Sequence, residues 1–106
     1  MATKSYNKLV RDLIPEIIEQ SGKRCVVSIL SDEEYLRMID EKLNEELAEY
    51  HDDGSIEELA DLIEVIYAAA KARGYTIEQL EAVRVEKVQQ RGAFDKKILL
   101  TEVIDK

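Results

Sequence analysis

Glu45-Glu46-Leu47-Ala48-Glu49-Tyr50-His51-Asp52-Asp53-Gly54-Ser55-Ile56-Glu57-Glu58-Leu59-Ala60-Asp61 is the stretch from which both fold and chemistry can be read. It carries two carboxylate doublets, Glu46-x-x-Glu49 and Glu58-x-x-Asp61, whose i, i+3 spacing puts both members of each on one helix face. Between them His51-Asp52-Asp53-Gly54-Ser55 is rich in turn formers, so the flanking helices are predicted to fold back antiparallel. Four carboxylates then converge on one small volume. Uncompensated they would repel one another, which points to a bound divalent cation.

The faces around the doublets sharpen this reading. At about 100° per residue, the helix before the turn places Tyr35, Leu36, Ile39, Leu43, Leu47 and Tyr50 on one stripe, with Glu46 in its middle and Glu49 at its edge. Asp40, Glu41 and Glu45 point away from the stripe. A core-facing glutamate is costly unless it is protonated, paired or metal-bound. The helix after the turn is apolar nearly all the way round over residues 59–72, with Asp61 and Glu64 its only interior acids. Such a helix is buried in a bundle or an oligomer interface. The angular neighbours of Asp61 are Val65, Ala68 and Ala72, so this carboxylate too is expected to be partly desolvated.

Simpler roles exist for each acid taken alone. Glu58 stands three residues after Ser55 and could be only the second half of a capping box, and Glu46 could pair with a lysine or arginine. The hairpin as a whole favours a metal, because Glu46 and Asp61 both interrupt apolar faces. Carboxylate oxygens without cysteine or paired histidine select hard cations, Mg²⁺ or Mn²⁺. His51, the sole histidine, falls at a turn and reads as a solvated helix-end residue. The Glu-x-x-His pairs of di-iron bundles and the calcium-loop pattern are both absent.

Working outward, residues 10–20 read as a first helix, beginning as late as Asp12 or Ile14 if Pro15 lies in its first turn, and ending at Gly22. Residues 24–30, with Val26, Val27 and Ile29, read as a short strand. Ser31 and Glu34 form a capping signature for a second helix reaching about Tyr50. The third helix follows Ser55 and ends near Arg73 before Gly74; the fourth is capped by Thr76 and stops at Gly92 after Arg91. Residues 97–103 are expected to pair with the extended segment around Val27.

At 106 residues the chain is one domain, residues 1–106. The expected fold is all-α, a four-helix bundle-type domain with minor short β-strands, assembled at least as a dimer, since the apolar circumference of the third helix needs covering. A formal net charge of −8 argues against a nucleic acid polymer as partner, because counterion release needs a basic surface. The single cysteine, Cys25, excludes an internal disulfide and suits a reducing cytosol. No apolar run approaches a membrane span and residues 1–8 lack the apolar stretch of a signal peptide, so a cytoplasmic location is expected.

Glu45-Glu46-x-x-Glu49 followed by Glu58-x-x-Asp61 resembles the EExxE…ExxD signature of the all-α nucleotide pyrophosphohydrolases, which include MazG-type enzymes, phosphoribosyl-ATP pyrophosphohydrolase and the dimeric dUTPases. Tyr6-Asn7-Lys8-Leu9-Val10-Arg11-Asp12-x-Ile14-Pro15 resembles the opening of a phosphoribosyl-ATP pyrophosphohydrolase-like branch, and Lys87-x-x-x-Arg91-Gly92-x-Phe94 its closing motif. The likeness runs from Tyr6 to about Leu100. The gap between Glu49 and Glu58 is short beside many MazG-type proteins, and Tyr6, Tyr50 and Phe94 are the only aromatics near the motifs.

The resemblance implies Mg²⁺-dependent hydrolysis of a nucleoside triphosphate to a monophosphate and pyrophosphate, with a housecleaning role against non-standard nucleotides. The rivals are phosphoribosyl-ATP pyrophosphohydrolase of histidine biosynthesis and a non-catalytic helical oligomerisation module. By the same likeness Glu46, Glu49, Glu58 and Asp61 would hold the metal. Glu45, or else Glu64, would accept the proton of the attacking water. Lys8, Arg11, Lys87 and Arg91 would meet the phosphate oxygens, with arginine suited to bidentate contact and lysine to a point charge.

Overall fold

Four helices form in chain order in the computed structural model, which describes residues 2–105: α1 (Ile14–Gln20), α2 (Asp32–Asp53), α3 (Ile56–Ala72) and α4 (Ile77–Arg91). The all-α class is therefore as expected. α1 starts at the latest of the expected positions, with Pro15 in its first turn, where a missing N–H costs nothing. α2 overruns Tyr50 as far as Asp53 because the residue able to stop it is Gly54, whose left-handed φ of 68° lets its N–H close on the Tyr50 carbonyl at 2.7 Å.

Each long helix has its expected N-cap. The Glu34 and Glu58 amides donate to the Ser31 and Ser55 hydroxyls, at 3.2 and 3.3 Å. Thr76 and Gln79 complete the reciprocal box at the start of α4, with bonds of 3.0 and 2.8 Å. The box at α3 is half formed. Ser55 caps the helix, but Glu58 does not return to the Ser55 amide.

The principal packing contact is the antiparallel one between α2 and α3, while α4 touches α3 only lightly. Ile39, 5% exposed, and Val65 are its buried apolar side chains among the described residues. At the far end of the hairpin Arg73, the C-cap of α3, donates to Asp40 of α2 at 2.9 Å. The rest of the predicted α2 stripe is half-buried, apart from Leu47, which is more open. The near-complete apolar circumference of α3 is not covered by this chain: Leu59, Ile63 and Ile66 remain exposed.

The two short strands do not form; among the described residues there is no strand. Val26 and Ile29 in the first segment and Ile98 and Leu99 in the second are almost fully exposed. β-Branching suits a residue to a pleated, half-buried surface but does not supply the surface. A two-stranded ribbon with no helix packed beneath it is marginal at best. The result is an extended molecule, 71 × 31 × 22 Å, with a radius of gyration of 18.9 Å where a compact chain of this length has about 13 Å.

Nothing lies within 4 Å of a Cβ placed on Gly54, so Gly54→Ala meets only the backbone penalty of the left-handed conformation and should cost about 1–2 kcal/mol. Ile39→Ala, which opens the α2–α3 contact, should cost more, about 2–4 kcal/mol. Urea denaturation followed by circular dichroism measures both.

Candidate metal centre

Glu46 leaves the middle of α2 on the side facing α3 and is 7% exposed, the most buried charged residue described. It is there because it shares a stripe with Ile39 and Leu43, which the hairpin must bury. Its Oε1 lies 3.5 Å from the Lys42 ammonium one turn earlier, and its Oε2 has no hydrogen-bond partner. Glu58, across the hairpin in the first turn of α3, also has a buried Oε2 without a partner. Asp61, one turn further on, is half-buried. Each of these three residues offers a carboxylate oxygen, and all three oxygens lie within 4.8 Å of one another, about the diameter of the oxygen shell around one hard divalent cation.

The electrostatics are those of a site short of positive charge. Burial pushes the Glu46 carboxyl above the usual carboxylate range and repulsion from Glu49 adds to it, against the opposing pull of Lys42. The Glu58 carboxyl is raised as well, by loss of solvent first and then by Glu49 and Asp61. Glu49 acts on both from the exposed edge of α2 without joining the three-oxygen cluster. Three of the four expected metal-binding acids are thus brought together and the fourth stands beside them.

The other expected site residues divide. Lys8 and Arg11 do not share a helix face, because residues 2–10 are not helical. They reach the acids all the same. Arg11 Nη2 donates to Asp61 Oδ1 at 2.6 Å, and Lys8 Nζ to Glu45 Oε1 at 3.1 Å. The hydrogen bond to Glu45 holds the Lys8 ammonium above its ordinary range. Glu45 is half-buried and also 3.8 Å from Lys42. Glu64 is exposed on α3, outside the cluster. Lys87 and Arg91 sit four apart on α4, both exposed, and among the described residues neither forms an ion pair with an acid.

Lys42 is the participant not anticipated by number. Its signal was present, three residues before Glu45 and four before Glu46. The Arg11–Asp61 pair had none, since it spans the chain through an irregular segment. His51, in the last turn of α2, is exposed and tilted against Tyr50, as a helix-end residue should be.

No family model matches the chain, and no solved structure matches it. Over 42 residues it is 55% identical to an uncharacterised protein of Mycolicibacterium smegmatis (strain ATCC 700084 / mc(2)155). That match covers 40% of this chain and 43% of the relative. The chain thus matches less than half of the relative's length.

A carboxyl raised in the folded state binds its proton more tightly there than in the unfolded chain. The stabilisation is full below the ordinary carboxylate range and is lost as pH rises through the raised value. Metal-free protein should therefore lose thermal stability over that rise on account of Glu46 and Glu58. Glu46→Gln should flatten the loss and melt higher than wild type at neutral pH, because its neutral amide can donate to the neighbouring carboxylates. Melting curves in chelator at several pH values check this.

Proposed function

We propose that this chain is the subunit of a Mg²⁺-dependent nucleotide pyrophosphohydrolase, converting a nucleoside triphosphate to a monophosphate and pyrophosphate. The observation that carries the reading is the clustering of Glu46, Glu58 and Asp61 oxygens, where Glu46 and Glu58 each keep a buried carboxylate oxygen without a partner. A buried acceptor left without a donor is expensive, and a hard cation resolves both that cost and the mutual repulsion. The EExxE…ExxD resemblance names the chemistry that such a centre serves.

In this reading Glu46, Glu58 and Asp61 hold the metal and Glu49 completes the set from the edge. Mg²⁺ bound there would neutralise phosphate charge and acidify a water. Glu45, half-buried beside the cluster but outside it, accepts the proton of that water; Glu64 is too far out on the exposed face of α3 to be preferred. Lys8 and Arg11 stand at the acids, which supports a role for them in meeting phosphate oxygens. Lys87 and Arg91 would do so from α4.

Self-association belongs to the same proposal. The uncovered apolar side of α3, the extended shape and the small buried core support a second copy packing against the helices. Tyr6 and Phe94, exposed in the single chain, would gain walls to stack against only in such an assembly.

Pyrophosphate release from a panel of standard and modified nucleoside triphosphates is the test. Release is expected to require Mg²⁺ and to fall by about a thousandfold or more in Glu46→Gln, a loss of several kcal/mol of transition-state stabilisation. Release from phosphoribosyl-ATP alone would reassign the substrate. Metal-dependent stabilisation with no turnover of either would replace the enzyme with a helical oligomerisation module. Sedimentation equilibrium should give at least twice the chain mass; a monomer at micromolar concentration would remove the assembly from the account.

A further inference from the structure

Of the amino-terminal cations, Arg11 is engaged with the acid cluster itself and Lys8 with the acid next to it. Arg11 is hydrogen-bonded to Asp61, one of the three clustered acids, and Lys8 to Glu45 beside them. The side chains of Lys8 and Arg11 are 56% and 59% exposed, and the backbone carrying them is irregular, with Asn7 at a left-handed φ of 49°. Lys42 is different. It projects from α2, a regular helix, with a side chain only 21% exposed and its ammonium 3.5 Å from Glu46 Oε1. Its single charge leaves the Glu46 Oε2 unpartnered.

We propose that residues 2–11 are a counter-ion strap. Arg11 stands in for the metal at Asp61, with Lys8 beside it on Glu45; both yield their carboxylates when a divalent cation binds, and then close on the phosphates of the nucleotide. The proposal rests on the metal reading above and adds regulation of that site. A guanidinium and a dication draw on the same negative charge at Asp61, so each weakens the hold of the other by the same factor. Once metal has neutralised the acids, an incoming polyphosphate is the strongest remaining partner for an exposed arginine, which meets it with two parallel N–H donors. The strap therefore opposes metal binding alone and favours metal together with nucleotide.

This gives effects of opposite sign, which an ordinary supporting role for Arg11 does not. If Arg11 merely oriented Asp61 as a ligand, its removal would weaken metal binding. Calorimetric titration of the full chain with Mn²⁺ should show Arg11→Gln and Lys8→Gln each binding the metal about two- to fivefold more tightly than wild type, the size expected for release of an exposed ion pair. With Mn²⁺ saturating, both variants should bind a non-hydrolysable nucleoside triphosphate about tenfold more weakly, the loss of a charge-assisted contact. In the wild type, trypsin cleavage after Lys8 and Arg11 should quicken on adding Mn²⁺ and slow again on adding the analogue. Unchanged or weaker Mn²⁺ binding in the variants, with wild type binding normally, overturns the strap and leaves the metal reading standing. Unaltered trypsin cleavage also overturns it. No Mn²⁺ uptake by the wild type overturns both.

Discussion

The antiparallel contact between α2 and α3 is the constraint on which the rest depends. Ile39 and Val65 are buried in it, and the apolar stripes that bring them together carry Glu46 and Asp61 into the same layer. A tight hairpin closed by Gly54 and Ser55 leaves little freedom in register, so Glu58 in the first turn of α3 arrives opposite the last turns of α2. Hydrophobic burial thus does the work of assembling like charges, which Lys42 on the same hairpin offsets only in part.

Lys42, Lys8 and Arg11 supply positive charge from three directions, yet two carboxylate oxygens stay buried and unpaired. A structural ion-pair network would tend to satisfy such atoms, because an unpaired buried acceptor is among the costliest features a fold can carry. That incompleteness is the feature that supports the metal reading proposed for the cluster. On a larger scale α3 is unsatisfied too, with Leu59, Ile63 and Ile66 of its apolar circumference exposed. Among the described residues no helix is long and apolar enough to cross a membrane.

Much of this was legible in the sequence where the signal is local. Ser31, Ser55 and Thr76 announce helix starts, Gly54 and Gly92 announce stops, and the stripe through Ile39 and Leu43 shows that Glu46 must turn inward. What failed to read correctly was non-local. The β-branched runs around Val27 and Ile98 carry strand propensity, but pairing depends on a surface elsewhere in the fold, and the chain provides none. The position of Arg11 on Asp61 is set by the course of an irregular segment, which no periodicity encodes. Glu58 shows how two local rules compete: its backbone obeys the capping pattern while its side chain joins the acids.

The central claim is that Glu46, Glu58 and Asp61 hold a divalent cation. Electron paramagnetic resonance of free Mn²⁺ during titration of the chain tests it most directly, because bound ion leaves the free signal and is counted without any assumption about turnover. The account predicts saturable uptake by wild type, competition by Mg²⁺, and loss of that uptake in a folded Glu46→Gln variant. Mn²⁺ that stays free, or that binds equally well to wild type and Glu46→Gln, would contradict it.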